Sequence, residues 1–135
     1  MTTTLPVFAS PAHRAHAPAG HADVPERVEE LLAAALAFGA TPQAVGDFGM
    51  EPIAAVHSPG LLALLQTAYR RFAQLREGPR PAVPDTFAVR ESGGRLSRSI
   101  WGHLGHYCSD NVTPILSATW PAAYASAQVA LSAAQ

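Results

Sequence analysis

The chain contains no lysine. Its nine basic residues are all arginine and face ten acidic ones, for a net charge of −1. That balance excludes a general electrostatic grip on nucleic acid or on an anionic membrane. Cysteine occurs once, at Cys108, so no intramolecular disulfide can form and a reducing cytoplasm is the expected compartment. No apolar run approaches the roughly 20 residues that a membrane helix needs. The first ten residues have neither a basic start nor a long apolar core, which argues against a secretory signal. A Walker loop, G-x-S-x-G, H-E-x-x-H and G-x-G-x-x-G are all missing, and with them the chemistry each would announce.

What is present is 135 residues, enough for one domain with a sizeable core, cut into short elements by 12 Pro and 10 Gly. Leu5-Pro6-Val7-Phe8 reads as a short strand, with Pro6 at its start or at a sheet edge. A loop rich in Pro, Ala, Gly and His follows. Asp23 as cap, Pro25 in the first turn and Glu26 three residues after the cap predict a helix over 25–38. Val28, Leu31, Leu32, Ala35 and Phe38 form its apolar stripe, and Gly39 stops it. A two- or three-residue strand is expected around Ala44-Val45, and a helical turn over 51–56. Ser58 and Pro59 open a helix over 59–76, with Leu61, Leu64, Leu65, Ala68, Tyr69 and Phe72 as its stripe. Residues 78–99 show no period and read as a long irregular loop, solvated or partner-facing. Residues 100–115 also read as irregular, though richer in aromatics. Thr119 is expected to cap a last helix that includes Pro121 and runs over 122–134. The chain stops inside that helix without a C-cap, which reads either as a frayed terminal helix or as a cut from a longer protein.

Three groups could carry chemistry. His13, His16 and His21 lie in the first loop, without a nearby thiolate for a structural zinc. They read as solvated histidines or as part of a substrate-facing rim. His103, His106, Cys108 and Asp110 crowd into eight residues and form the best metal-ligand cluster, although ligands adjacent in sequence still need a turn that gathers them. A Cys108–His106 nucleophile pair is the weaker option, since no helix N-terminus is in view to lower the thiol pKa. Arg80, Arg90, Arg95 and Arg98 line the long loop beside Asp85 and Glu91.

Four segments, in order, resemble one family. Asp23-Val24-Pro25-Glu26-Arg27-Val28-Glu29 matches a pattern of acid, x, Pro, x, Arg, x, Glu. Ala55-Val56-His57-Ser58 and the helix after it are similar to a V-H-D motif. Gly102-His103-Leu104-Gly105-His106-Tyr107 looks like a Gly-x-x-Gly-Tyr-Tyr element. Thr113-Pro114-Ile115-Leu116-Ser117-Ala118-Thr119-Trp120 looks like T-P-I-x-x-G-T-W. Together they resemble the N-terminal segment of the histone-deacetylase-like superfamily, in its acetylpolyamine amidohydrolase branch. Ser58, His106 and Ala118 depart from the Asp, the first Tyr and the Gly of those motifs.

The resemblance implies an α/β, arginase/deacetylase-like three-layer fold, of which this segment would be mainly α-helical with at most two short strands. It implies residues 1–135 as the N-terminal part of a deacetylase-like domain, with an insertion loop at about 78–112 that reaches a second subunit. The family hydrolyses acetyl-amides with a zinc held by two Asp and one His. Its Pro-Pro-Gly-His-His and Asp-x-Asp-x-His elements are not in this sequence, so no catalytic residue and no metal ligand is assigned. His13, His16, Trp101, His106 and Tyr107 are the candidates for a substrate rim or dimer loop. No cofactor is expected in this chain; zinc belongs to the full-length family. The expected partner is a second copy or the missing C-terminal part, with an acetylated amine as substrate only once the fold is completed. The alternatives are a non-catalytic helical interaction module and a small metal-binding protein built on His103, His106, Cys108 and Asp110.

Overall fold

The computed structural model describes residues 5–20, 24–75, 78–88 and 96–135. The elements are β1 (Pro6–Phe8), a 3₁₀ turn (Pro11–Ala15), α1 (Glu26–Ala37), β2 (Thr41–Gln43), α2 (Glu51–Val56), α3 (Pro59–Ala73), α4 (Ile100–Tyr107) and α5 (Thr119–Ala133). They fall into two compact units, one made of Met1–Ala55 and Trp120–Gln135, the other of Val56–Thr119.

In the first unit, β1 and β2 pair in parallel, Pro6 opposite Thr41 and Phe8 opposite Gln43, joined through α1. Glu26 and Glu29 lie in the first turn of α1, where a helix N-terminus favours negative charge. Its other end is a Schellman stop. The Gly39 N–H bonds the Leu36 carbonyl at 2.9 Å and the Ala40 N–H bonds that of Ala35 at 3.0 Å. Gly39 sits at φ 87°, in the left-handed region that glycine enters most easily. The expected cap Asp23 lies outside the described residues, and Pro25 at the cap position makes no side-chain cap bond. The apolar stripe is only partly realised: Leu32 and Ala35 are half-buried, whereas Leu31 and Phe38 are 69% and 93% exposed. The covered face runs along Glu29, Leu32 and Ala35, so Leu31 turns away from it. The second strand falls at Thr41–Gln43, three residues before the expected Ala44-Val45. All three of its residues are exposed, so apolar residues do not mark it; the Thr41 N–H is taken instead by the Leu5 carbonyl.

The last helix is Ala-rich, yet the residues it buries are polar, Gln128 and Ser132. They and Tyr124 recur every four residues and so share one face. That face binds the segment between β2 and α2, mostly through its backbone. The Gly46 N–H donates to Ser132 Oγ at 2.9 Å and the Phe48 N–H to Gln128 Oε1 at 2.7 Å. Gln128 Nε2 donates to the Gly49 carbonyl at 3.3 Å, and the Tyr124 hydroxyl to Asp47 Oδ1 at 2.5 Å. Thr119 is part of the helix, and its hydroxyl accepts the Leu116 N–H.

In the second unit, Ser58 caps α3 as expected, accepting the Leu61 N–H at 3.3 Å. Leu64, Ala68 and Phe72 of α3 pack with Ile100 and Leu104 of α4 and with Ala82 and Ile115. The last two form an antiparallel bridge, each N–H 2.9 Å from the other's carbonyl. Between 78 and 99 the described residues hold no helix, but Ala82 and Pro84 are buried, which corrects the reading as a solvated loop. Arg90 and Arg95 lie outside the described residues; Arg80 and Arg98 are exposed.

Residues 100–107, expected to be irregular and part of the insertion loop, form α4, with Ser99 accepting the Gly102 N–H at 3.1 Å. Two glycines and two histidines make it a poor helix by propensity. Burial of Ile100 and Leu104 overrides this, and the glycines serve close packing. A Cβ at Gly105 would run into the Thr86 carbonyl oxygen, and one at Gly60 into the Tyr107 hydroxyl. The Ala88 N–H bonds the Gly105 carbonyl at 2.8 Å, laying the chain against the helix.

Two stability changes follow. Gly105→Ala gains about 1 kcal/mol of helix propensity but forces backbone apart, for an expected net loss of about 1–2 kcal/mol. Denaturant unfolding measures it, and amide exchange should show Ala88 losing protection; an unchanged Ala88 would contradict the packing. Gln128→Leu strands the Phe48 N–H and the Gly49 carbonyl, at about 1–3 kcal/mol. Ser126→Ala, on the same helix, is the near-neutral control, and equal unfolding midpoints for the two variants would refute the role given to Gln128.

Candidate functional site

In the first unit the candidate site is the loop after β1. Ser10 caps the 3₁₀ turn, accepting the Ala12 N–H at 3.3 Å, and Pro11 opens it. The turn leaves His13 half-buried and Arg14 exposed. His13 Nδ1 lies 2.5 Å from the Ser10 carbonyl oxygen, and Nε2 lies 3.0 Å from Glu29 Oε1 on α1. Arg14 grips the same carboxylate with both arms, Nε to Oε1 at 2.6 Å and Nη2 to Oε2 at 3.1 Å. Arg14 first and His13 second hold the Glu29 carboxyl down at a pKa of about 2. The His16 N–H closes the turn on the His13 carbonyl at 3.0 Å. Beside His13 lies a cavity of about 140 Å³, lined by Phe8, Ala9 and Ser10, by Val28 of α1, and by Ala122, Ala125, Ser126 and Val129 of α5.

The other three rim candidates sit on α4, in the second unit. Trp101 stands edge-on to Phe72, ring centres 4.8 Å apart. Tyr107 reaches over Gly60 and meets the exposed His106 edge-to-face at 4.6 Å. His16 and His13 thus fall in one unit, and Trp101, His106 and Tyr107 in the other.

The sequence cluster His103, His106, Cys108 and Asp110 does not converge on a metal position, and no three His, Cys, Asp or Glu side chains do so among the described residues. Arg71 Nη1 donates to His103 Nδ1 at 3.2 Å, so that nitrogen is occupied as an acceptor. Asp110 accepts the Val112 and Thr113 N–H groups at 2.9 and 2.8 Å. With the Thr113 hydroxyl as the largest cause, these bonds lower its pKa. Burial, and then the Asp110 charge, push the Cys108 thiol up, the reverse of what a nucleophile needs. The small metal-binding protein and the Cys–His pair are therefore set aside. The family's zinc likewise finds no fitting donor set among the described residues.

Sequence reading did not single out Glu29 as the partner of the first loop. It is the last residue of the acid-x-Pro-x-Arg-x-Glu pattern, but its partners lie 15 and 16 residues away. Its acid behaviour is testable. A depressed carboxylate contributes stability above the ordinary Glu pKa, near 4.3, and loses it as pH falls through the folded value. Asp47, held down first by the Tyr124 hydroxyl, and Asp110 act in the same direction. Glu29→Gln should thus flatten the fall of Tm between about pH 5 and 2 relative to the parent. Superimposable Tm profiles in that window would show that the brace contributes nothing.

The geometry can be set beside known proteins. No family model matches the chain. An acetylpolyamine amidohydrolase of Burkholderia pseudomallei is 38% identical over 112 residues, which is 83% of this chain and 32% of that protein. Acetylpolyamine amidohydrolase 1 of Pseudomonas aeruginosa is 40% identical over 90 residues, 64% of this chain and 25% of its own length. The Mycoplana ramosa acetylpolyamine amidohydrolase is 34% identical over 114 residues, covering 83% and 33%. A crystal structure of acetylpolyamine aminohydrolase from Burkholderia pseudomallei superposes with a TM-score of 0.86 at 34% identity, over 97% of this chain and 40% of that one. The segment therefore has the arginase/deacetylase-type α/β fold, here mainly helical with two short strands. The chain spans about a third or less of the length of the curated relatives it matches. Over the part it spans, it belongs to the acetylpolyamine amidohydrolase branch of the histone-deacetylase-like superfamily.

Proposed function

We propose that this chain is a non-catalytic portion of a zinc-dependent acetylpolyamine-amidohydrolase-type deacetylase, a cytoplasmic enzyme that hydrolyses acetyl-amides of amines. In this reading the chain builds scaffold and the first loop at the substrate rim, and residues outside it hold the zinc. The observation that carries the reading is the superposition over 97% of this chain but only 40% of the solved relative. Two features support it. A parallel sheet is ordinarily larger than two strands and covered on both faces, yet β2 is exposed at all three residues. On α1, Leu31 and Phe38 present apolar surface that further polypeptide would bury. That polypeptide is either the remainder of such an enzyme or a second copy of this chain. No described helix is long and apolar enough to cross a membrane.

The test is a deacetylation assay on acetylated polyamines and acetyl-lysine peptides with zinc added. The purified chain should show no turnover. Mixing in a polypeptide that carries the other 60% or so of a relative's fold should produce zinc-dependent activity. Hydroxamate-sensitive turnover by the chain alone, absent from a mock purification, would overturn the proposal.

A further inference from the structure

The two ring nitrogens of His13 both face oxygens that only accept. Nδ1 is 2.5 Å from the backbone carbonyl of Ser10, which carries no proton. Nε2 is 3.0 Å from Glu29 Oε1, a carboxylate kept ionised by Arg14. A neutral imidazole has one N–H and one bare lone pair, so in this place it would set a nitrogen lone pair against an oxygen lone pair. Only the imidazolium, a donor at both positions, satisfies both contacts.

We propose that His13 is a protonation-dependent latch on the first loop. As an imidazolium it ties the exit of β1 at Ser10 to α1 at Glu29 and so closes the 3₁₀ turn beside the cavity. Loss of its proton releases one of the two ties.

Among the described residues, two charged side chains meet His13 or its partner directly. From α1, Glu29 faces the ring and favours its charge. From the turn itself, Arg14 repels the imidazolium but also keeps Glu29 ionised. Among the described residues the rest of the cavity lining is uncharged, including Phe8 from β1, Val28 from α1, and Ala122, Ala125, Ser126 and Val129 from α5. The cavity beside the latch is mostly apolar, so a loosened turn changes access to that surface. The latch belongs to this chain's own loop and does not depend on a role in deacetylation.

The experiment is imidazole nitrogen NMR on the whole chain with labelled histidine, His13 being assigned by the signals lost in His13→Asn. At pH 5 both His13 nitrogens should carry protons. As pH rises the ring should change to a single N–H form. Over the same rise the His16 amide, which bonds the His13 carbonyl, should exchange about 2- to 10-fold faster after correction for intrinsic rates, as expected for one hydrogen bond lost. Glu29→Gln should reduce that step. A bare His13 nitrogen at pH 5 overturns the proposal. So does His16 exchange that stays flat while the ring deprotonates. Both readings come from the unmodified chain, so they stand even if a variant folds poorly.

Discussion

The first unit depends on one polar stripe. On α5, spaced by four, Gln128 and Ser132 bind the backbone of residues 46–49 and Tyr124 binds the Asp47 carboxylate, across 77 to 86 positions of sequence. An Ala-rich helix has little apolar contrast to choose its rotation, so directional bonds choose it instead. Turning α5 by one residue would break the bonds to the part-buried Gly46 and Phe48 N–H groups, with no large apolar side chain to compensate. The same bonds make the unit discontinuous. It is complete only when α5 returns after residues 56–119. Closing so long a loop costs little more than closing a moderate one, because the entropy grows only with the logarithm of length. A few well-made hydrogen bonds and the contacts around them can therefore hold it.

The segments that resemble the deacetylase family act structurally in this chain. Ser58, where the motif has an acid, caps α3. Gly105 and Tyr107 of the Gly-x-x-Gly-x-Tyr element are packing positions, one against Thr86 and the other over Gly60. Glu29 closes the first-helix pattern and braces the loop through Arg14 and His13. Family likeness in these motifs therefore reports shared architecture, which is what the superposition measures.

Much of this was legible. Pro at first turns, Ser58 as a cap, Gly39 as a stop and the 3.6-residue period place α1, α2, α3 and α5 close to their observed bounds, because those signals are local. The failures have one source, long-range contact. In α4, Gly102 and Gly105 look like breakers until Thr86 is known to lie against Gly105. β2 has no apolar mark of its own and is defined by Leu5 and β1. At the candidate site His13 was visible as a loop histidine, whereas its pairing with Glu29 was not. Gln128 and Ser132 could have been suspected from their spacing in an alanine helix, but nothing local says which backbone they bind.

Three carboxylates of the described residues are engaged by the fold itself. A catalytic zinc needs about three protein ligands and groups that orient them. Glu29 already takes Arg14 and His13, and Asp47 takes the Tyr124 hydroxyl and the Gly49 N–H. Asp110 takes two backbone N–H groups. Each of these carboxylates is held below its ordinary pKa by groups of the fold itself. Recruiting one to a metal would first break the brace or turn it maintains. The charge of these three carboxylates is thus already spent on shape.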